Sequence, residues 1–77
     1  MNIDLTDVTL HIDETLEPSR LTSIEEGLRG LDGVVSVSHL ENRPHLKIVA
    51  FNPAKVNARA VLAQVVAQGV HAELIGL

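Results

Sequence analysis

Hydrophobic and polar residues alternate near the N-terminus of the chain, in the pattern of a strand with one buried face. The apolar members of this alternation are Val8, Leu10 and Ile12. Thr9, His11 and Asp13 occupy the intervening and following positions, so they share the opposite face of the strand. The pattern predicts a first β-strand over about residues 8–13.

A longer segment after this strand has apolar residues at the three-to-four-residue spacing of an amphipathic helix. Its apolar stripe consists of Leu21, Ile24, Leu28 and Leu31. Pro18 suits the first turn of such a helix, because its missing N–H would have no partner there. Asp32 and Gly33 are expected to end the helix.

A second helix is marked at both of its ends. Asn57 is a favourable N-cap residue, and Val56 and Val61 have the spacing of a hydrophobic staple around it. Gly69 is expected to stop the helix at its C-terminus. The buried stripe of this helix is predicted to consist of Leu62, Val65 and Val66.

Three further strands are expected, over about residues 34–40, 45–51 and 70–75. The segment Glu41-Asn42-Arg43-Pro44 predicts a hairpin turn between the first two of them, and Asn52-Pro53 ends the third strand of the chain. The resulting order β-α-β-β-α-β is typical of an α+β ferredoxin-like sandwich. Right-handed crossovers then place both helices on one face of a four-stranded antiparallel sheet with strand order 4-1-3-2.

Length and charge restrict the domain organisation and the classes of partner. The 77 residues predict a single domain over residues 1–77 with one modest core. Ten acidic and six basic residues give a formal net charge of −4, and Phe51 is the one aromatic residue. Few dispersed basic residues and a single aromatic ring argue against nucleic acid and anionic membranes as partners.

Targeting and catalytic signals are also missing from the sequence. The N-terminal residues lack the basic region and apolar core of a signal peptide, and no apolar run approaches the roughly 20 residues of a membrane helix. A cytoplasmic location is therefore expected. The chain has no cysteine nucleophile and no phosphate-binding glycine-rich loop, so an enzyme is not expected. The adjacent Glu25 and Glu26 predict a solvated helix face rather than a catalytic pair.

Three stretches of the chain resemble the small heavy-metal-associated domains of metallochaperones and metal-pumping ATPases. They are IEEGLRGLDGVVSV in the first helix and second strand, FNPAKV before the second helix, and QGVHAELIG near the end. The resemblance covers about residues 8–77. It implies the ferredoxin-like fold already predicted from the element order, and a metal-handling role.

The resemblance does not extend to the metal loop of that family, which has the pattern Met-x-Cys-x-x-Cys. This chain contains no cysteine, and the two cysteine positions fall on Glu17 and Arg20. Soft thiolates select Cu(I), a role that a carboxylate and a guanidinium cannot take over. Glu17 and Arg20 are three residues apart on the helix and are expected to pair with each other. The resemblance therefore implies a degenerate loop without its metal ligands.

The predicted topology places the four histidines of the chain at one end of the sheet. They are His11, His39, His45 and His71. Strand alternation puts His11 and His71 on the open face of neighbouring strands, with Asp13 beside them. His39 falls at a position that is usually apolar in the family, so the resemblance implies that it is partly buried. Imidazole and carboxylate ligands suit Zn, Ni, Co and Cu(II), so His11, His71 and Asp13 are candidate metal ligands. The alternative is that these histidines are polar strand ends that face water.

The sheet face opposite the helices is predicted to carry an apolar patch. Its members are Leu40, Leu46, Ile48 and Ile75. An exposed patch of this kind marks a protein contact, so a protein partner or a homodimer is expected at this open face. A shift of the third strand by one residue is the alternative, and it would bury Leu46 and Ile48 instead of their neighbours.

The sequence leaves three functional hypotheses. The first is a binding module with a degenerate metal loop that acts through protein–protein interaction. The second is a metal carrier or chaperone that uses histidine and carboxylate ligands. The third is a dimeric regulatory domain for a small ligand, since ferredoxin-like sandwiches serve many unrelated functions.

Overall fold

A computed structural model describes residues 4–76 of the chain, so residues 1–3 and 77 of the predicted domain lie outside the described part. The structure confirms the predicted element order and the α+β ferredoxin-like fold. The elements are β1 (Thr6–Ile12), α1 (Pro18–Arg29), β2 (Val34–Leu40), β3 (Arg43–Phe51), α2 (Ala58–Val66) and β4 (Ala72–Gly76). Neither helix is long and apolar enough to cross a membrane.

The four strands form one antiparallel sheet in the order β2-β3-β1-β4, which is the predicted order written from the other edge. Alternate residues of the strands pack with the helices into a single core cluster. Val8, Leu10 and Ile12 are all buried, as the alternation in the first strand predicts. His11 therefore lies on the opposite, helix-free face.

The register of β3 agrees with the prediction and excludes the one-residue shift. Lys47, Val49 and Phe51 are buried on the helix-covered side of the sheet. Leu46 and Ile48 lie between them and point to the open face, where they pair with His11 and Thr9 of β1 respectively. The alternation of side chains along a strand therefore determines which residues β3 presents to solvent.

The first helix buries Ile24 and Leu28 completely, while Leu31 packs at the edge of the core. It ends at Arg29, three residues before the predicted stop at Asp32 and Gly33. Gly33 instead forms the turn into β2 with a φ of 102°. A Cβ there would lie 2.8 Å from Lys55 Cβ, so neither the backbone conformation nor the space accepts a larger residue.

The second helix begins as predicted but presents a different face to the core. Asn57 is the N-cap, and its Oδ1 accepts a hydrogen bond of 2.8 Å from the backbone N–H of Ala60. The buried residues are Val61 and Val65, which are one helical turn apart. The prediction that Val66 is buried is wrong, because it lies about 100° further round the helix and is 47% exposed.

The remaining strand boundaries differ from the predictions by a few residues. β1 begins at Thr6 and β4 begins at Ala72, whereas the sequence predicts residues 8 and 70. β3 begins at Arg43 and so includes Pro44, which was expected in the turn. The pairing of β2 with β3 is irregular between His39 and Leu40, close to Pro44, which cannot donate a hydrogen bond to the ladder.

Candidate metal centre

The pairing of β1 with β4 brings a histidine and two carboxylates together on the open face. The register places His11 opposite Glu73, and Asp13 follows β1 by one residue. The Nδ1 atom of His11 lies 3.1 Å from Asp13 Oδ1 and 3.1 Å from Glu73 Oε1. One ligand atom from each of the three residues lies within 4.8 Å of the others. His11 and Glu73 thus lie side by side although they are 62 positions apart in the chain.

The distance from His11 Nδ1 to each of the two carboxylate oxygens fits neighbouring ligand atoms of one metal coordination shell. Zinc bonds to nitrogen or oxygen of about 2.0–2.2 Å place neighbouring ligand atoms about 2.8–3.6 Å apart in tetrahedral or octahedral geometry. Nδ1 of His11 carries a hydrogen here, because both of its partners are acceptors, and a bound cation would displace that proton. One imidazole and two carboxylates form a ligand set that suits borderline divalent metals.

A second histidine lies against the first. The rings of His11 and His45 are stacked, with centroids 5.7 Å apart and an interplanar angle of 22°. Nδ1 of His45 donates a 2.7 Å hydrogen bond to the backbone oxygen of Ile12, so in the neutral ring the lone pair is on Nε2. Metal-binding histidines are commonly oriented by such a bond to a carbonyl. The sequence placed His45 at this end of the sheet but not among the candidate ligands.

The third predicted ligand, His71, lies outside the cluster of His11, Asp13 and Glu73. Strand pairing matches Ile12 with Ala72, so His71 is opposite Asp13 and does not face His11 as expected. Asp13 N–H donates to the carbonyl oxygen of His71 over 2.9 Å. The structure therefore brings His11 and Asp13 together and adds Glu73, which is not among the candidate ligands of the sequence analysis.

His71 has a carboxylate partner of its own in Glu14. Its Nδ1 lies 2.7 Å from Glu14 Oε2, and its backbone N–H donates to the same carboxylate. The side-chain hydrogen bond lowers the pKa of Glu14 and raises the pKa of His71. Together with the bond from Asp13, this pair holds the loop after β1 against the start of β4.

His39, which also lies at this end of the sheet, faces the helix-covered side. Its Nδ1 is 3.7 Å from Oε2 of Glu25, far from the open face. The expectation that His39 is partly buried is wrong, since 57% of its side chain is exposed. Its position in β2 is at the edge of the sheet and close to the hairpin, where the helices give little cover.

The expected pair of Glu17 and Arg20 does not form. These residues take the two cysteine positions of the family that the chain resembles. No ion pair joins Glu17 to Arg20 in the part of the chain that the structure describes. Glu17 is the N-cap residue of α1, and the guanidinium of Arg20 donates to the backbone oxygen of Gln68. Gln68 lies in the turn after α2, where free carbonyl oxygens attract a cation. A guanidinium at this place makes the loop a poor site for a metal ion.

Sequence reasoning missed a buried ion pair beneath α1. Lys47 is 2% exposed, and its Nζ lies 2.5 Å from Oε2 of Glu25. Glu25 is therefore held inside, and the prediction of a solvated face is wrong for this residue. The alternation of β3 contains a signal for this ion pair. Lys47 shares the inward face of the strand with Val49 and Phe51. A buried cation at such a position requires a carboxylate partner.

The apolar patch of the open face borders the histidine cluster. Leu40 is 41% exposed and Ile75 is 54% exposed, while Leu46 and Ile48 are half-buried. A cavity of about 370 Å³ lies at this place, and the side chains that line it include His11, Leu46 and Ile75 and the hairpin residues 42–45. The candidate metal ligand His11 thus adjoins an apolar surface.

Comparisons with known proteins show the fold of this chain. Neither a scan against protein-family models nor a search of curated proteins found a match. Among solved structures, a copper-binding domain from HMA7, a P-type ATPase, matches with a TM-score of 0.82 at 18% identity, over 91% of this chain and 93% of that one. Oxidized MerP from Ralstonia metallidurans CH34 gives 0.81 at 15% identity, over 92% and 97%.

The apo copper chaperone of Enterococcus hirae matches with a TM-score of 0.78 at 22% identity, over 88% of this chain and 98% of that one. At these identities the likeness establishes the fold. It confirms, at that level, the resemblance to heavy-metal-associated domains that the sequence predicts. This chain has their fold and no cysteine.

Proposed function

We propose that this chain is a small metal-binding module that holds a borderline divalent cation through His11, Asp13 and Glu73. Zn²⁺, Ni²⁺, Co²⁺ and Cu²⁺ are the cations that suit this ligand set. The observation that carries the proposal is the position of His11 Nδ1, 3.1 Å from a carboxylate oxygen of each acidic residue. The fold similarity to copper-binding domains and to a copper chaperone supports a metal-related role.

The charge and exposure of the site favour a carrier over a permanent structural centre. Two carboxylates neutralise a divalent cation, and a neutral imidazole adds a third donor. His11 is 37% exposed, and both acidic side chains are 51% exposed, so a bound ion can exchange with solvent or a partner. Three protein ligands also leave at least one coordination position open, as in sites that bind an exogenous ligand.

The loop before α1 carries no metal ligands, which is a physical reason for a metal site elsewhere in the domain. Arg20 brings a positive charge to the position of the second cysteine and donates to Gln68. The cluster of His11, Asp13 and Glu73 lies on the open face, where its ligands come from β1, the residue after it and β4. We infer that this site does not select Cu(I), because no thiolate is available and oxygen ligands prefer harder cations.

A titration with Zn²⁺, Ni²⁺, Co²⁺ or Cu²⁺ tests this proposal, with calorimetry for stoichiometry and histidine NMR signals for the site. One equivalent of Zn²⁺ is expected to bind and to shift the signals of His11. His11→Gln and Glu73→Gln are expected to weaken binding at least tenfold. His71→Gln and Glu26→Gln are the matched controls, and they keep the affinity of the original chain.

Two results would contradict the proposal. One is the lack of saturable binding by any of the four ions. The other is an equal loss of affinity in His71→Gln and His11→Gln, which would make His71 a ligand together with His11. This second outcome corresponds to the ligand set that the sequence predicts.

We propose protein docking through the open face as a second function, because exposed apolar residues border the metal cluster. Leu40 and Ile75 are the most exposed members of the patch. Sedimentation of the chain over a range of concentrations distinguishes a homodimer from a monomer that awaits another partner. Ile75→Lys is expected to abolish a homodimer, while Val66→Lys on α2 leaves it intact. A mass that stays monomeric at all concentrations removes the homodimer.

A further inference from the structure

Strand β2 forms one edge of the sheet, and within residues 4–76 no further strand pairs with its outer side. All of its side chains except those of Val34 and Val37 are exposed, and Val35 is 59% exposed although it is apolar. An edge strand presents backbone N–H and C=O groups that can pair with a strand of another chain. The edge of β2 is therefore a candidate interaction surface.

A side-chain contact shows which backbone groups of β2 point outward. The guanidinium of Arg29 donates to the backbone oxygen of Val37 over 3.3 Å, so this carbonyl lies on the side of β2 away from β3. In an antiparallel pair, successive residues point their N–H and C=O groups alternately toward the partner strand and away from it. Val37 and His39 therefore direct their backbone groups outward, and Ser38 directs its groups toward β3.

The hydrogen bond at the start of β2 gives the same alternation. The N–H of Asn52 donates to the carbonyl oxygen of Gly33 over 2.7 Å, which is the bond expected beside a pair that is not itself hydrogen-bonded. That pair is Val34 with Phe51, so Val34 points its backbone groups outward. The register shifts by one residue directly after Val34, and this extra residue brings Val37 into the outward phase.

The composition of β2 leaves this edge open to strand pairing. Its sequence VVSVSHL contains no aspartate, glutamate, lysine, arginine or proline. Charged side chains and prolines are the usual protection of an edge strand. The opposite edge is β4, which has only five residues and contains Glu73. The edge of β2 is thus the longer of the two and the one without charged residues.

We propose that β2 pairs with β2 of a second copy of this chain, antiparallel and about a two-fold axis at Ser38. This register sets Val37 of each copy opposite His39 of the other, so the outward N–H and C=O groups of both residues find partners. Val37 and His39 are equally far from Ser38, and this makes the edge complementary to itself. The dimer then contains one continuous antiparallel sheet built from the four strands of each copy.

The side chains around the axis favour a second copy as the partner. Ser38 meets Ser38 of the second copy on the open face, where two hydroxyl groups can form a cross-strand hydrogen bond. On the helix-covered side, Arg29 lies over Val37 and Glu25 lies beside His39. Because Val37 is opposite His39 of the second copy, Arg29 of each copy comes next to Glu25 of the other. The charges of the two copies are therefore complementary across the axis.

This interface is separate from the proposed metal centre and from the apolar patch of the open face. The proposed metal ligands lie in or next to β1 and β4, on the other side of β3 from the axis. A two-fold axis perpendicular to the sheet keeps the open faces of both copies on the same side. Pairing through β2 therefore leaves the metal ligands and Ile75 exposed.

Amide hydrogen exchange in the unmodified chain, followed by NMR at low and high protein concentration, tests the pairing. The amides of Val37 and His39 are expected to exchange more slowly at the high concentration, because they then donate to the second copy. The amide of Ser38 donates to β3 in both states, so it is the internal control and should change little. Sedimentation over the same concentrations is expected to show a monomer that converts to a dimer.

Two pairs of variants test the contacts at the axis. His39→Pro removes an outward donor from each copy without removing a donor to β3, and it is expected to weaken the dimer at least tenfold. His39→Ala keeps the N–H and is the matched control, with the dimer retained. Arg29→Glu places like charges next to each other across the axis and is also expected to weaken the dimer. Arg59→Glu, on the exposed side of α2, makes the same change in net charge and should leave it intact.

Several results would overturn the proposal. They are a mass that stays monomeric at all concentrations, and slower exchange at high concentration that is equal for Ser38 and His39. Dimerisation of a folded His39→Pro variant as strong as that of His39→Ala would do the same. A dimer that is lost in Ile75→Lys but retained in Arg29→Glu would place the contact on the open face instead. The exchange pattern and the pair Arg29→Glu and Arg59→Glu decide the question if His39→Pro does not fold.

Discussion

Glu25 of α1 and Lys47 of β3 form an ion pair between the helix layer and the sheet. The 2.5 Å contact joins a lysine that is 2% exposed to a glutamate that is 14% exposed. A buried charge that loses its partner remains desolvated, so both residues depend on each other.

Glu25→Ala is therefore expected to destabilise the protein by about 3–5 kcal/mol, the usual cost of breaking a buried pair. The double variant Glu25→Leu with Lys47→Met removes both charges and is expected to recover most of this loss. Urea unfolding measures both changes. Glu26→Ala, on the exposed face of the same helix, is the control and should stay within about 0.5 kcal/mol. A cost for Glu25→Ala as small as that of the control would show that the pair is solvated.

The N-cap of α2 can be tested with a rescue variant. Asn57→Ala removes the acceptor of the Ala60 N–H and is expected to cost about 1 kcal/mol, within the range of about 0.5–2 kcal/mol for such caps. Asn57→Asp retains an acceptor and places a negative charge at the helix N-terminus, so it should keep full stability. Denaturant unfolding of the three proteins checks this. Equal losses in both variants would refute a capping role.

The rotation of α2 about its own axis decides which of its residues face the core, and two neighbouring valines test it. Val65 is fully buried and Val66 is 47% exposed, although the two have the same side chain. Val65→Ala is expected to cost about 2 kcal/mol, because it removes buried methyl groups and leaves a cavity. Val66→Ala should change the free energy of unfolding by less than about 0.5 kcal/mol. Similar losses at both positions would mean that the helix is rotated relative to the core.

The pair of His71 and Glu14 predicts a pH dependence of stability in the metal-free protein. The pKa of His71 is raised above its usual 6.5, so its contribution is present below that pH and is lost as the pH rises through the folded pKa. The pKa of Glu14 is lowered from 4.5, so its contribution is present above 4.5 and is lost as the pH falls through the folded pKa. Both contributions are complete between pH 4.5 and 6.5.

Thermal unfolding of the original chain and of His71→Gln, in buffer with a chelator, measures this effect. The original chain should exceed the variant by more at about pH 5.5 than at about pH 9, where His71 is neutral in both states. Glu14→Gln is the matched control and should give the same pattern, because it removes the same pair. A difference that is constant across the pH range would contradict the assigned pair.

Much of the fold was predictable because short-range residue patterns specify the individual strands and helices. The structure confirms the alternation at Val8, Leu10 and Ile12, the place of Pro18 in the first turn of α1, and the N-cap at Asn57. The sequence predicts wrongly that Val66 is buried, because Leu62, Val65 and Val66 have the spacing of one apolar helical stripe. The chain offers several apolar positions on α2, and the docking of the helix on the sheet selects among them.

The candidate site was predictable in part. The alternation and topology were enough to place His11 and Asp13 on the open face at one end of the sheet. The partner of His11 depends on the register of β4 against β1, and Ala72 rather than His71 pairs with Ile12. A shift of two residues along a strand keeps a side chain on the same face but changes its neighbour, so Glu73 takes the place that the sequence suggested for His71.

Residue types and their spacing are enough to specify the order of elements, the faces of the strands and the absence of the thiolate ligands of the family that the chain resembles. These features follow from residue type and short-range periodicity, which act within one or two turns of the chain. The tertiary structure alone decided that His11 meets Glu73 and that Lys47 meets Glu25. Such pairs join residues 62 and 22 positions apart, and their distances depend on strand register and helix docking, which no local pattern specifies.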